Sequence, residues 1–395
     1  MTPAPHLVRR ASLGVLLIFA ACGFAFATWA SRLVAVRLAL GVDPDEMGLL
    51  LLCWSAGSVA GMPLAGRLIA RFGGRRLITA AAAVAVAALA GAGLAVAAGS
   101  AAAVAGLLVA LGLGVGVWDV SMNVAAGDVE RALARSIMPR FHAGYSLGTV
   151  LGAALGAGAA RLGVPVAAHL AASALVCLAA VLWGASALLA GGASAAAGRA
   201  RRASRERSAW REPRVVLLGL AVLSLTLVEG GANDWMASGV VEGFGTSESV
   251  GIVCLAVFLA AQTAARVFGT HAVERLTRPA VIRASAVFAL VGVAMFALGP
   301  SLAWVFAGAA WWGVGAALVF PLGMSAASDD PLRAARRTSV VATIGYGAFL
   351  AGPPLLGFLA EHIGFRHAML VLAAPVALAA ALAGAARQEP PTGPN

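Results

Sequence analysis

Lysine is absent from this 395-residue chain: all 28 of its basic residues are arginine, and charged residues of either sign make up only 11%. Without lysine a Gly-x-x-x-x-Gly-Lys phosphate cradle cannot be built, which excludes ATP hydrolysis of that type as an energy source. Ordinary soluble domains carry about 25% charged residues. With 61% hydrophobic residues instead, the chain lacks the polar surface that would keep a globule of this length in water. Cysteine is scarce as well. Cys22, Cys53, Cys177 and Cys254 all sit inside apolar runs without metal-like spacing, which argues against both a disulfide framework and a zinc site. No metal or cofactor is expected.

What is present is apolar sequence sufficient for about twelve bilayer spans at ~20 residues each. Hydropathy places them near 11–36, 47–69, 77–98, 101–125, 138–160, 164–189, 215–240, 250–270, 280–299, 301–326, 339–360 and 368–386. The stretch Phe19-Ala20-Ala21-Cys22-Gly23 resembles a lipoprotein cleavage site. The apolar run continues past Cys22 to Trp29, however, so it reads better as a retained first helix. The net charge of +11 does not signal nucleic acid, because the arginines are strung between apolar stretches rather than gathered on one basic face. Instead they alternate. The loops that share a side with the N-terminus hold 24 of the 28, leaving only Arg32, Arg37, Arg161 and Arg366 for the other side. The positive-inside rule then puts both termini in the cytosol of a multi-pass inner-membrane protein.

The expected organisation is an N-terminal six-helix bundle over 1–190, a basic cytosolic linker over 191–214 and a C-terminal six-helix bundle over 215–395. The linker carries seven arginines and no apolar periodicity, a composition that sets topology and touches anionic lipid. Across it the halves echo each other at an offset of about 200 residues, as in transporters built from repeats. Thr28-Trp29-Ala30-Ser31 matches Asp234-Trp235-Met236-Ala237-Ser238, Gly114-Val115-Gly116 matches Gly313-Val314-Gly315, and Tyr145 with Gly152 matches Tyr346 with Gly352. The loop Gly66-Arg67-Leu68-Ile69-Ala70-Arg71-Phe72-Gly73-Gly74-Arg75-Arg76 recurs in weaker form from Gly269 through Glu274 and Arg275 to Arg278.

At these residues the chain resembles the major facilitator superfamily, whose loop between helices 2 and 3 reads Gly-x-x-x-Asp-Arg-x-Gly-Arg-Arg. Gly66, Arg71, Gly73 and Arg75 fit that pattern, with Ala70 at the acidic position of the first half and Glu274 at that of the second. The strings Trp29-Ala30-Ser31-Arg32, His142-x-x-Tyr145-Ser146-Leu147-Gly148-Thr149, Glu229-Gly230-Gly231-Ala232-Asn233-Asp234-Trp235, Ser325-Ala326-Ala327-Ser328-Asp329 and Gly352-Pro353-Pro354-Leu355-Leu356-Gly357 are similar to its YbjJ-type branch. The resemblance implies an all-α polytopic fold of twelve transmembrane helices in two pseudo-symmetric bundles. Helices 1, 4, 7 and 10 would line a central cavity, the monomer would suffice for function, and the relatives would include sugar-permease-like members.

Ionisable groups within spans are expensive to insert, so those that remain are functional candidates. At ~1.5 Å per residue, Glu229 lies about 22 Å from the cytosolic boundary, Asp234 about 29 Å, Arg32 about 32 Å and Asp119 about 13 Å. Arg32 and Asp234 reach similar outer depths and are read as an extracellular gate, against the plainer reading that both simply reach headgroups. Glu229 with Asn233, and Asp119 with Asn123, stand four apart and so share one helical face each. Glu229 is the first choice for proton carrier and Asp119 the second, the amides suiting hydroxyl or amide groups on a cargo. For Asp119 the alternative is a structural partner such as His142 or Arg140. His142, Tyr145 and Thr149 form a polar stripe on the fifth span, and Gln262 with Arg266 makes a similar step on the eighth. Trp29 and Trp235, beside the charged candidates, are expected to stack on a substrate ring. Gly144, Gly148, Gly152 and Gly156 recur every four residues and permit close helix packing.

These features point to a non-enzymatic secondary transporter for a small polar, sugar-like solute, coupled to protons and working by alternating access. The alternatives are an efflux antiporter for an amphiphilic metabolite or drug and a non-transporting membrane sensor. Partners are the solute, protons and the lipid bilayer, with no nucleic acid.

Overall fold

The computed structural model describes residues 4–133, 137–189, 209–269, 275–330 and 333–387. Among them twelve helical segments are long and apolar enough to cross a membrane, and the chain divides into two compact units, Met1–Ser204 and Arg205–Asn395. Large apolar side chains such as Leu94, Leu175, Phe268 and Leu298 stand more than half exposed, as expected of helices solvated by lipid.

The first unit comprises α1 (Pro5–Ala30), α2 (Leu33–Leu40), α3 (Pro44–Phe72), α4 (Gly74–Ala97), α5 (Ala101–Leu133), α6 (Met138–Arg161) and α7 (Val166–Ser186). Local chemistry sets the boundaries. Pro5 and Pro44 open α1 and α3, where the missing N–H removes nothing from the ladder, and Asp43 with Glu46 forms a capping box. Gly73 alone separates α3 from α4 at φ +82°, a backbone conformation that a Cβ would strain. Glu130, near the end of α5, accepts the backbone N–H groups of Ile137 and Met138 at 2.6 and 2.7 Å and so caps α6. The expected first span proves to be two helices, broken at Ser31–Arg32, where the Ser31 hydroxyl donates back to the Thr28 carbonyl.

The second unit comprises α8 (Pro213–Phe244), α9 (Glu248–Phe268), α10 (Arg278–Leu298), α11 (Leu302–Ala316), α12 (Val319–Ala327), α13 (Ala334–Ile363), α14 (Phe365–Ala368) and α15 (Ala373–Leu382). Its tenth span is also broken, between Ala316 and Val319. Pro321 supplies the cause: it has no N–H for the Ala317 carbonyl four residues earlier, and its ring excludes that carbonyl from the helix. Most of the expected basic linker lies outside the described residues, but 209–214 is structured rather than a loop. Ala209–Arg211 forms one 3-10 turn and Pro213 begins α8. Glu212 pairs with Arg337 at 2.7 Å. Arg214 donates to the Ala385 and Arg387 carbonyls and to Asp329, which also receives Arg278 at 2.7 Å. Two arginines and one carboxylate therefore tie the start of α8 and α10 to the end of α12 and of the last span.

The two units share a packing plan, except that span seven also packs on span eight, a contact without a counterpart of that extent in the first unit. In the first, span one packs on spans five and six, two on four, and three on four and six; in the second, seven packs on eleven and twelve, eight on ten, and nine on ten and twelve. Glycines allow the close crossings. A Cβ at Gly112 would strike the Trp54 carbonyl of α3 and one at Gly114 would crowd Ala81 and Ala85 of α4. Likewise Gly313 abuts Phe258 of α9, and Gly315 abuts Ser285 and Ala289 of α10. The structural counterpart of Gly313-Val314-Gly315 is therefore Gly112-Leu113-Gly114, two residues before the pair suggested by sequence. The expected glycine stripe of α6 lies along α1: Gly144 faces Leu16, Gly148 Ala20, Gly152 Phe24 and Ala27, and Gly156 Ser31.

Candidate functional site

Breaking the tenth span leaves the Ala317 carbonyl without a helical donor. The Arg266 Nε of α9 fills that role at 3.2 Å, and its Nη2 reaches the Glu229 carboxylate of α8 at 3.1 Å. The guanidinium fork, five N–H donors in one plane, is the side chain able to serve a carbonyl and a carboxylate together. Glu229 and Arg266 keep side-chain exposures of 20% and 27%, so the pair is partly buried rather than sealed. One residue before Glu229, the Val228 carbonyl accepts the indole N–H of Trp312 at 3.1 Å. Trp312 is fully buried and stands edge-on to Phe258 and Phe296, so it sets the spacing of α8, α9 and α11 rather than offering a ring to a ligand. Gly313 beside it packs on the backbone of Phe258 and Gln262, which holds Gln262 near the level of Glu229. Gln262 is 3% exposed and Asn233 7% exposed, and among the described residues the Gln262 amide nitrogen and the Asn233 amide oxygen have no hydrogen-bond partner. A donor and an acceptor are thus buried on the two helices that carry the ion pair.

In the first unit, Asp119 and Asn123 meet as their spacing implies: the Asn123 amide donates to the Asp119 carbonyl at 2.9 Å and to its carboxylate at 3.4 Å. Asn123 is therefore a hydrogen-bond partner of Asp119 within α5 itself. His142 is exposed, edge-on to Phe19 at 5.2 Å, and Tyr145 is half-buried with its backbone against Gly23 of α1. Arg32 is 4% exposed at the α1–α2 break and donates to the Val164 carbonyl between α6 and α7 at 3.0 Å, while Asp234 is half-buried on α8. His169, which sequence reading passed over, lies by Ser31 and Gly156 with both ring nitrogens buried and without a hydrogen bond among the described residues.

Trp29 and Trp235 require a correction. They are 2% and 1% exposed, Trp29 against Trp54 and Trp235 against Phe365, so in this conformation both are packing residues rather than stacking platforms. Of the loop motif, Gly66 is open, Gly73 makes the turn, Arg71 lies over the Phe72 ring and Arg75 opens α4. Arg275 stands just before α10, and Glu274 lies outside the described residues. For Arg266 the four-residue step from Gln262 was legible in the sequence, but its pairing with Glu229 was not. The signal that marks the site is Pro321, which frees the carbonyl that Arg266 holds.

Two six-span units with one packing plan, and a charge pair set into a broken span, define a duplicated polytopic membrane protein of the transporter type. The chain belongs to the major facilitator superfamily, whose sequence profile matches residues 11–343 and 235–395. It is 33% identical over 376 residues to the uncharacterized transporter y4wD of Sinorhizobium fredii, covering 95% of this chain and 98% of that one. An uncharacterized MFS-type transporter of Yersinia pestis is 30% identical over 347 residues, covering 87% and 88%. Among solved structures, a mutant of the nucleoside transporter NupG superposes with a TM-score of 0.76 at 14% identity, covering 96% of this chain and 98% of that one. A bacterial homolog of the human lysosomal transporter Spinster gives 0.74 at 16% over the same shares. Identities this low carry the fold alone.

Proposed function

We propose that this protein is a secondary active transporter that moves a small, uncharged polar solute of sugar-like chemistry across the inner membrane, coupled to protons and working by alternating access. The observation that carries this is the Glu229–Arg266 pair at the Ala317 break, because discontinuous helices are where transporters place substrate and coupling-ion sites. The pair is neutral as a whole, and the buried Gln262 and Asn233 amides add a donor and an acceptor, a combination suited to hydroxyl or amide groups rather than to a net charge. Glu229 carries the proton. Protonation removes the charge that holds Arg266, leaving the guanidinium to the Ala317 carbonyl and releasing α8 from α9 and the break. Asp119 with Asn123 is the matching polar face of the first unit and the second candidate for the proton, with His142 and Tyr145 on the neighbouring helix. Arg32 and Asp234 act as the outer gate, both termini lie in the cytosol, and the monomer is the working unit.

Proteoliposomes test the reading. Wild-type protein should accumulate a sugar-like solute when a pH gradient is imposed and should exchange it in counterflow. Glu229→Gln should keep counterflow but lose at least tenfold in gradient-driven accumulation. Unchanged pH dependence in that variant would overturn Glu229 as carrier. Absence of counterflow for every solute in the wild type would leave the sensor reading, and exchange confined to amphiphilic drugs would leave the efflux reading.

A further inference from the structure

At the beginning of α1 a groove of about 260 Å³ opens between that helix, the last residue of α5 and the first residues of α6. Arg9, Ser12 and Leu13 line it from α1; Leu133, Ile137 and Arg140 line it from the other side. Positions 9, 12 and 13 follow the three-and-four spacing of one helical face, so α1 presents a guanidinium, a hydroxyl and an apolar stem together. Arg140 brings a second guanidinium from the first turn of α6.

The groove lining is net positive among the described residues. No carboxylate lines it. Of the acidic side chains nearest in sequence, Asp128 pairs with Arg131, and Glu130 stands behind the groove wall, bound to the Ile137 and Met138 amides, which leaves two guanidiniums against one carboxylate. Neither the Arg9 nor the Arg140 side chain makes an ion pair or hydrogen bond among the described residues. Because Glu130 already occupies the N-terminus of α6, the helix end is not what attracts an anion here. The two guanidiniums are.

Below the guanidiniums the lining is apolar, and Leu13 and Leu133 are 51% and 41% exposed. A free phosphate would leave those side chains uncovered, whereas a phospholipid would place its phosphodiester between Arg9 and Arg140, accept the Ser12 hydroxyl, and lay an acyl chain along the leucines. We infer that this groove is a binding site for an anionic phospholipid, such as phosphatidylglycerol or cardiolipin, held by Arg9 and Arg140. Basic pockets between helices at the cytoplasmic face take such headgroups, and each arginine near an anionic surface contributes roughly a fivefold preference. On the orientation proposed above, the groove faces the inner leaflet.

The test uses the purified full-length chain in detergent and so does not depend on orientation or on transport. Binding of dioleoyl-phosphatidylglycerol, dioleoyl-phosphatidylcholine and glycerol phosphate is measured by native mass spectrometry. Wild-type protein should prefer the glycerol lipid over the choline lipid at least tenfold, the double variant R9Q/R140Q should lose that preference, and R10Q/R67Q, with the same change of charge, should keep it. Retention of the preference in R9Q/R140Q, or equal loss in R10Q/R67Q, overturns the site. Competition by glycerol phosphate as strong as that by the intact lipid overturns the lipid in favour of a free phosphate. If R9Q/R140Q does not fold, a photoreactive phosphatidylglycerol on the wild type decides. Cross-links within 5–13 or at 133 or 137–140 support the groove, and cross-links confined to other segments refute it.

Discussion

Glu229 meets Arg266 at 3.1 Å while the same guanidinium holds the Ala317 carbonyl, so the two ends of the pair are not equivalent. Removing Glu229's charge leaves Arg266 one acceptor; removing Arg266 leaves a carboxylate within the span with no counter-charge. Arg266→Gln should therefore impair both gradient-driven uptake and counterflow, by at least tenfold, whereas Glu229→Gln spares counterflow. Transport assays of the two variants side by side check this, and identical profiles would refute the asymmetry. Asp329 is the other residue on which several groups converge. Asp329→Asn weakens its contacts with Arg278 and Arg214 and should destabilise the second unit by about 2 kcal/mol, in the range for hydrogen bonds to charged groups, seen as a lowered thermal midpoint. An unchanged midpoint would show that solvent already supplies what Asp329 does. The residue types at the site were legible, since acids and amides inside apolar spans stand out. Their partners were not, because Glu229 and Arg266 are 37 positions apart and only the crossing of α8 and α9 brings them together.

At the scale of the element, close helix crossings and helix breaks matter more than span length. Gly148 lies against the Ala20 backbone, and Gly148→Val should push α6 off α1, costing about 1–3 kcal/mol as overpacking does. Gly106→Ala, at a position with nothing nearby, should leave stability unchanged or improved. Thermal unfolding of the two variants separates the readings, and a harmless Gly148→Val would mean that the α1–α6 crossing is not held by contact. The spans themselves could be read from hydropathy because the bilayer imposes one length on every crossing helix. Their breaks could be read only in part. Pro321 marks the one in the tenth span, whereas Ser31–Arg32 carries no proline or glycine and yields through a local side-chain hydrogen bond.

For the whole molecule, the proposed orientation puts the first turn of α4, at Arg75, in the cytosol and the loop at Ser100 outside, since α4 crosses between them. In a background lacking the four native cysteines, a cysteine at Ser100 should react with an impermeant maleimide added to intact cells, and one at Arg75 should react only after lysis. The reverse pattern would invert the topology. The duplication of packing between the units was foreshadowed by the repeat at about 200 residues, although its register in the fourth and tenth spans shifted by two once Gly112 and Gly114 took the places matched by Gly313 and Gly315.

Hydropathy along the sequence was enough to mark a membrane protein with twelve candidate spans, and the echoed strings across the linker to mark two related halves, because apolar length and local motifs are legible residue by residue. Packing alone decided that the Trp29 and Trp235 rings are core and that Arg266 is the counter-charge of Glu229. It also left the charges of Arg9 and Arg140 open to a ligand. Those outcomes depend on which helix faces cross and at what level, and no local pattern in the letters carries that distance.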